Sequence, residues 1–138
     1  MIHKIVIKSM LGLLFVVIIF HLCIITKIIP YEITWGGRLQ NDSEMYIFEA
    51  ISISINLFLV FVLLMKGEYI KFYFKQRFVN MILWIFLILF VLNTIGNSLA
   101  KTNFEKSFAV LTLIFSIFIW VILKKETGKR NKNTTETY

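Results

Sequence analysis

The sequence is poor in the residues on which most catalytic and metal sites depend. It has a single cysteine, Cys23, which excludes an internal disulfide and a paired-thiol redox site. Its two histidines are too few for a metal site of the usual kind. The HExxH, GxSxG, P-loop and GxGxxG patterns are absent. We therefore predict no metal and no cofactor, and an enzymatic role is not favoured.

Acidic residues are also scarce, with 8 Asp and Glu against 15 Lys and Arg, for a net charge of +7. This excess does not predict nucleic-acid binding, because the basic residues flank long apolar runs, where the positive-inside bias and anionic lipid headgroups both favour them. Hydrophobic residues make up 58% of the chain and are grouped in runs of the length that a bilayer core of about 30 Å requires. The sequence therefore predicts an integral membrane protein whose first partner is the lipid bilayer.

Four apolar runs predict the fold class, an all-α integral membrane bundle of four transmembrane helices forming one domain over residues 1–138. The predicted spans are 9–29, 45–65, 78–100 and 108–123. A basic tail, 124–138, is expected to lack regular structure. Pro30 is expected to stop the first span. Asp42 or Ser43 is expected to cap the second, after a turn at Gly36-Gly37.

The distribution of basic residues predicts the orientation of the bundle. One side of the membrane would hold eleven of them: Lys4, Lys8, Lys66, Lys71, Lys75, Arg77, Lys124, Lys125, Lys129, Arg130 and Lys132. The other side would hold only Lys27, Arg38, Lys101 and Lys106. The richer side is expected to be cytoplasmic, which places both termini inside and the 31–44 loop outside.

Six of the polar residues within the predicted spans are candidates for a site: His21, Glu49, Ser52, Asn56, Asn93 and Asn97. Five of them would lie in the outer half of the bilayer, and Asn56 would lie close to its middle. An ionisable side chain at the centre of a bilayer costs about 2.5–3.5 kcal/mol on insertion scales, so it marks a functional hypothesis with a partner inside the bundle. We predict a polar pocket that opens outward, with Glu49 as its charged anchor and His21 as a proton partner. The loop residues Trp35 and Arg38 would cover it, Arg38 pairing with Glu49 or with an anionic ligand.

A purely structural interpretation stands beside this one. Asparagine and serine often join transmembrane helices by hydrogen bonds worth about 0.6 kcal/mol each. Small residues at four-residue spacing, Ala50 with Ser54 and Gly96 with Ala100, also predict close packing of spans two and three.

The leading functional prediction is a small multi-pass membrane protein that binds or transports a small or amphipathic ligand. A second is an accessory subunit or immunity-type protein that docks a membrane partner, and a third is a lipid-modifying enzyme with Glu49 and His21 as acid and base. A homo-oligomer is expected if the protein conducts. The layout resembles that of small four-span bacterial inner-membrane proteins, which implies that location. Four-helix sterol isomerases and sigma-2-receptor-like proteins also hold acids in an intramembrane pocket, but no residue is transferred from them.

Overall fold

The chain is all-helical in the computed structural model, which describes residues 2–35, 38–71, 74–100 and 103–135, with side chains for 3–35, 38–71, 74–100 and 103–124. The predicted turn at Gly36-Gly37 lies outside these residues. The helices are α1 Ile2–Ile25, α2 Tyr31–Thr34, α3 Asp42–Lys66, α4 Gln76–Ser98 and α5 Asn103–Thr135. Four of them are long and apolar enough to cross a membrane, α5 over its segment Asn103–Lys124. The prediction of four apolar helices is therefore confirmed.

Helix α1 ends earlier than predicted, at Ile25 and not at residue 29. Lys27 adopts a left-handed conformation with φ of 58°, which a continuing helix does not allow. The hydroxyl of Thr26 donates to the carbonyl oxygens of Leu22 and Cys23, which also accept hydrogen bonds from backbone N–H groups of this turn. Pro30 follows this turn and precedes α2, so the proline is not what stops the helix.

Helix α3 begins with a cap one residue before the predicted ones. The backbone of Asn41 is extended, and its side-chain oxygen accepts a hydrogen bond from the N–H of Glu44 at 2.9 Å. The Glu44 carboxylate in turn accepts from the N–H of Gln40 at 2.9 Å. The prediction of Asp42 or Ser43 as the cap is wrong, because both lie inside the first turn, beyond the extended residue that a cap requires.

Helix α5 is longer than predicted at both ends. It begins at Asn103, five residues before the expected start, and continues to Thr135 through most of the basic tail. The expectation of a tail without regular structure is therefore wrong over 124–135. Once a helix exists, each added residue gains a backbone hydrogen bond, and Lys, Arg and Glu are good helix formers.

The four long helices form a bundle in which α1 packs against α3 and α5, and α4 packs most extensively against α5. One end, which we name the terminal end, holds the start of α1, the end of α3 and the start of α4. The opposite loop end holds the 26–41 connection and the start of α5. The main apolar core fills the terminal half, with Ile7, Met10, Leu63, Leu83, Ile119 and Ile122 among its members.

The predicted close packing of spans two and three at their small residues is wrong. Helices α3 and α4 make the least extensive contact of the neighbouring long pairs. A Cβ atom built on Gly96 would meet no atom of the described residues within 4 Å. Ala50 and Ser54 are exposed, and the Ser54 hydroxyl donates to the Ala50 carbonyl of its own helix. The small residues therefore face away from the neighbouring helix, and the two helices separate towards the loop end.

Candidate functional site

A fully buried carboxylate lies at the centre of the loop end. Glu49 is on α3, almost two turns from its start, and has no exposed surface. Its Oε2 atom lies 2.6 Å from Nδ1 of His21 on α1. Its Oε1 atom accepts a hydrogen bond from the indole N–H of Trp35 at 2.7 Å. Two side chains from different parts of the chain thus satisfy the two oxygens, as a buried carboxylate requires.

The contact with Glu49 orients the ring of His21. An ionised carboxylate only accepts hydrogen bonds, so Nδ1 carries a proton when Glu49 is charged. The other ring nitrogen, Nε2, has no hydrogen-bond partner among the described residues, and 16% of the side chain is accessible. A histidine fixed by a carboxylate in this way presents its second nitrogen for a proton or a ligand.

The short helix α2 positions Trp35. The backbone N–H of Trp35 donates to the carbonyl of Tyr31 at 3.1 Å, and the Thr34 hydroxyl donates to the same oxygen at 3.0 Å. The indole also packs against Phe48 on α3, with ring centroids 5.3 Å apart. Trp35 is thereby held against Glu49, and the direct bond from its indole to the carboxylate was not foreseen.

An exposed ion pair ties α1 to α3 outside the buried one. The Lys27 ammonium donates to the carboxylate of Asp42. This hydrogen bond raises the pKa of Lys27 above its usual range, against a smaller opposing effect of desolvation. Lys27 lies six residues after His21, and Asp42 lies seven before Glu49. The same two chain segments are therefore joined twice, once in the interior and once at the surface.

A cavity of about 430 Å³ opens beside Glu49, lined by the four long helices and by Thr34, Trp35 and Arg38. All eight residues proposed from the sequence line it: His21, Trp35, Arg38, Glu49, Ser52, Asn56, Asn93 and Asn97. The structure thus brings together side chains from α1, α3, α4 and the connection between α1 and α3. That they bind a ligand stays a prediction.

Three of these residues differ from their expected roles. Arg38 is exposed, and among the described residues Glu49 bonds to His21 and Trp35 and not to Arg38. The alternative pairing of Arg38 with an anionic ligand stays a prediction. Asn56 donates its amide to the carbonyl of Ser52 on its own helix, at 2.8 Å. Its carbonyl oxygen and its second amide N–H are then left for a ligand. Asn93 is exposed where α3 and α4 separate.

Sequence reasoning missed a second buried acid. Glu105, in the first turn of α5, is 9% exposed and lines the same cavity. The predicted spans leave Glu105 in the connection between residues 100 and 108, and only an earlier start for α5 places it within the bundle. The positive end of the helix dipole favours an acid in this turn. Thr112 also lines the cavity, and its hydroxyl accepts a 2.9 Å hydrogen bond from the hydroxyl of Thr94 on α4.

The arrangement combines proton-exchanging and apolar surfaces. His21 and Glu49 can share or pass a proton, and the amides and hydroxyls can orient a polar group. The described residues contain no group of three or more His, Cys, Asp or Glu placed to hold a metal ion.

Comparison with known proteins adds nothing to these observations: no protein-family model, curated protein or solved structure matches this chain.

Proposed function

We propose that this protein is a multi-pass membrane protein that binds a small or amphipathic ligand in the cavity at its loop end. The observation that carries the proposal is Glu49, a carboxylate with no exposed surface that borders a cavity of about 430 Å³. Burial of an acid in a membrane bundle is costly and is rarely kept without a role. The volume lies within the ordinary range of about 300–1,000 Å³ for ligand sites.

The lining supports an amphipathic ligand. Polar groups, chiefly His21, Glu49 and Asn97, occupy the same cavity as apolar side chains such as Val17, Phe90 and Leu111. Ligand sites are typically apolar surfaces with a few polar groups that fix orientation. A ligand would place its polar part near Glu49 and His21 and its apolar part against the phenylalanines.

The proposal includes an orientation in which both termini are cytoplasmic and the cavity opens to the outside. It rests on the eleven basic residues on one side against four on the other. A bacterial inner membrane would suit this arrangement. Alkaline phosphatase fused after Tyr138 should be inactive and a fluorescent protein fused there should fluoresce; an active phosphatase fusion would reverse the assignment.

Native mass spectrometry of gently solubilised protein tests binding without knowledge of the ligand. The wild type is compared with Glu49→Gln, which keeps the size of the side chain, and with Glu32→Gln, which makes the same chemical change at an exposed acid outside the cavity. We expect a small bound mass on the wild type and on Glu32→Gln, and at least about a tenfold smaller bound fraction on Glu49→Gln.

Folding of Glu49→Gln is checked by gel filtration and circular dichroism in the same detergent. A bound mass that persists unchanged on Glu49→Gln would contradict the proposal, as would the lack of any bound mass on the wild type. A second polypeptide that co-purifies with the wild type and is lost with Glu49→Gln would instead favour the accessory-subunit role.

A further inference from the structure

The cavity has a lateral opening between α3 and α4. Ile55 of α3 and Leu89 of α4 both line the cavity and yet are 47% and 44% exposed. Nearer the terminal end the two helices meet, and the rings of Phe58 and Phe86 have centroids 6.2 Å apart. The gap between the helices therefore begins beyond this ring contact and continues to the loop end. We name it the side opening.

The position of the side opening places it in hydrocarbon. Ile55 and Leu89 lie near the middle of α3 and α4, two of the helices that are long and apolar enough to cross a membrane. The middle of such a span lies in the hydrocarbon core of the bilayer, where no water is available to polar groups. A compound that enters between these two side chains therefore comes from among the acyl chains.

The lining of the cavity becomes more apolar with depth. Asn97, one residue before the end of α4, and Asn93 line its shallow part. Phe86 lines its deep part and lies eleven residues before Asn97, or about 16 Å along the helix. Asn56 and Thr112 are polar residues at greater depth, and each bonds to a carbonyl of its own helix. A bilayer has the same order, with polar headgroups outside a hydrocarbon core.

The two shallow asparagines offer hydrogen bonds to a polar head. The side-chain amides of Asn93 and Asn97 make no hydrogen bond with any residue that the structure describes. An amide held in apolar surroundings without a partner is costly, so a bound polar group would stabilise both. Because an amide both donates and accepts, it suits a head of either charge or of none.

From these observations we propose that the ligand is a membrane amphiphile with a long hydrocarbon chain, and that it enters the cavity from the bilayer through the side opening. This inference rests on the proposed function and adds to it the chain and the route of entry. The polar head lies near Glu49 and the amides of Asn93 and Asn97. The chain passes between Ile55 and Leu89.

The compound retained by the gently solubilised wild type tests the chemical class. Fragmentation of the bound mass, other than bound detergent, should show an acyl or other long hydrocarbon chain. A compound without such a chain that is retained by the wild type and lost with Glu49→Gln would overturn this inference, while the proposed function would stand.

Two matched double variants test the route of entry. Ile55→Phe/Leu89→Phe places two larger rings in the side opening. Ile51→Phe/Leu92→Phe makes the same changes on the same two helices, at residues that are 51% and 59% exposed and line no part of the cavity. We expect a bound fraction at least about tenfold smaller for the first variant, because its rings occupy the space of the chain, and an unchanged fraction for the second.

Folding of both variants is checked by gel filtration and circular dichroism. If Ile55→Phe/Leu89→Phe does not fold, the single variants Leu89→Phe and Leu92→Phe are compared in its place. A second polypeptide that co-purifies with the wild type and is lost with the variant at the side opening would mean that a protein segment occupies the gap, and would overturn the inference.

Trp35 provides an internal reporter for added probes. The chain has three tryptophans, and Trp84 and Trp120 are about half exposed and line no part of the cavity. Trp84→Phe/Trp120→Phe therefore leaves Trp35 as the single indole, within the cavity. In phosphatidylcholine nanodiscs it is titrated with hexadecanoate, hexadecyltrimethylammonium and monohexadecanoylglycerol, and with the butyl homologue of each.

These probes cover a negative, a positive and a neutral head. We expect a saturable change in Trp35 emission with at least one long-chain probe and a much weaker response to its butyl homologue. In the same background Ile55→Phe/Leu89→Phe should weaken binding of that probe by about tenfold, and Ile51→Phe/Leu92→Phe should not. Partition of a probe into the nanodisc lipid is the same for all variants, so it cancels in this comparison.

Unchanged binding in Ile55→Phe/Leu89→Phe, of the retained compound or of a long-chain probe, would overturn the route through the side opening. A butyl probe that binds as tightly as its long-chain homologue would overturn the requirement for a chain. If neither a retained compound nor any probe binds, both this inference and the proposed function fail.

Discussion

The two halves of the bundle use the same apolar helices in different ways. At the terminal end, side chains such as Leu14, Leu63 and Leu83 are fully buried against one another. At the loop end, α3 and α4 separate, and polar side chains surround a cavity. A smaller apolar cluster of Ile24, Leu39 and Met45 closes the loop end beneath the α1–α3 connection.

This contrast shows how a membrane bundle can support a cavity. Lipid is as apolar as leucine, so helices associate mainly through close packing and hydrogen bonds and not by exclusion from water. Packing at the terminal end fixes the positions of α1, α3, α4 and α5. The loop end can then keep space and polar groups, because the buried carboxylate of Glu49 has its own partners there.

The largest effect should follow from leaving Glu49 without partners. The double variant His21→Leu/Trp35→Phe removes both hydrogen bonds to a carboxylate that has no exposed surface. Loss of the partners of a buried charge costs about 3–5 kcal/mol. We expect a loss of that size in the free energy of unfolding, measured by SDS titration in mixed micelles.

A third substitution tests the cause of that loss. Adding Glu49→Leu removes the unpaired charge and should restore most of the stability, because apolar residues of similar volume can replace a buried ion pair at little cost. A double variant as stable as the wild type would mean that water reaches the carboxylate. The loop end would then be hydrated, and the burial of Glu49 would not distinguish it from a solvent-exposed acid.

A matched pair of leucine truncations compares the packing of the two halves. Leu63→Ala removes a fully buried side chain at the terminal end, whereas Leu111→Ala removes a partly buried side chain that already borders the cavity. A new void in a packed core costs about 2–5 kcal/mol, but enlarging an existing space costs less because fewer contacts are lost. We expect about 2–4 kcal/mol for Leu63→Ala and about 1 kcal/mol for Leu111→Ala in the same SDS titration. Equal losses would mean that the loop end is as well packed as the terminal end.

The sequence predicted the helices well because apolar runs set by bilayer thickness are a strong, local signal. Their ends were predicted less well. Glycine and proline suggested turns at the 26–41 connection, but the end of α1 depends on Lys27 in a left-handed conformation, for which the sequence carries no clear signal. The start of α5 was misplaced by five residues, and Glu105 was missed for that reason.

The composition of the cavity lining was predictable and its bonding was not. Depth along each helix was enough to group His21, Glu49 and Asn97, because polar residues in apolar spans are few. The bond from Trp35 to Glu49 depends on how α2 folds back over α3, which involves side-chain orientations and long-range packing. Such contacts cannot be derived from the spacing of residues along one helix.

A smaller effect is expected from the polar contact that joins α4 and α5 beside the cavity. The Thr94 hydroxyl donates to the Thr112 hydroxyl at 2.9 Å, and the Thr112 hydroxyl donates to the carbonyl of Phe108 on its own helix. Hydrogen bonds between transmembrane helices contribute about 0.6 kcal/mol on average. A double-mutant cycle of Thr94→Val and Thr112→Val should give a coupling energy near that value. Zero coupling would show that the two hydroxyls act only within their own helices.

The smallest effect concerns the exposed ion pair between Lys27 and Asp42 and appears only at high pH. The hydrogen bond to Asp42 raises the pKa of Lys27, so the folded protein holds this proton more tightly than the unfolded chain does. The stabilisation is therefore complete below the ordinary lysine value of 10.5 and is lost as the pH rises through the raised value. The nearby phenol of Tyr31 acts in the same direction, since desolvation raises its pKa above 10.0.

Two substitutions separate the contributions of Lys27 and Tyr31 to the loss of stability at high pH. Stability is measured by SDS titration from pH 8 to pH 11.5 for the wild type, Lys27→Met and Tyr31→Phe. In the wild type the free energy of unfolding should fall at high pH. We expect a smaller fall in Lys27→Met, and in Tyr31→Phe a fall that keeps the contribution of the lysine. Because the pair is solvent-exposed, screening keeps its contribution small, and added salt should reduce it further. A decline that is identical in Lys27→Met would assign the effect to other groups. The buried hydrogen bond between His21 and Glu49 would then be the main polar contact between α1 and α3 at the loop end.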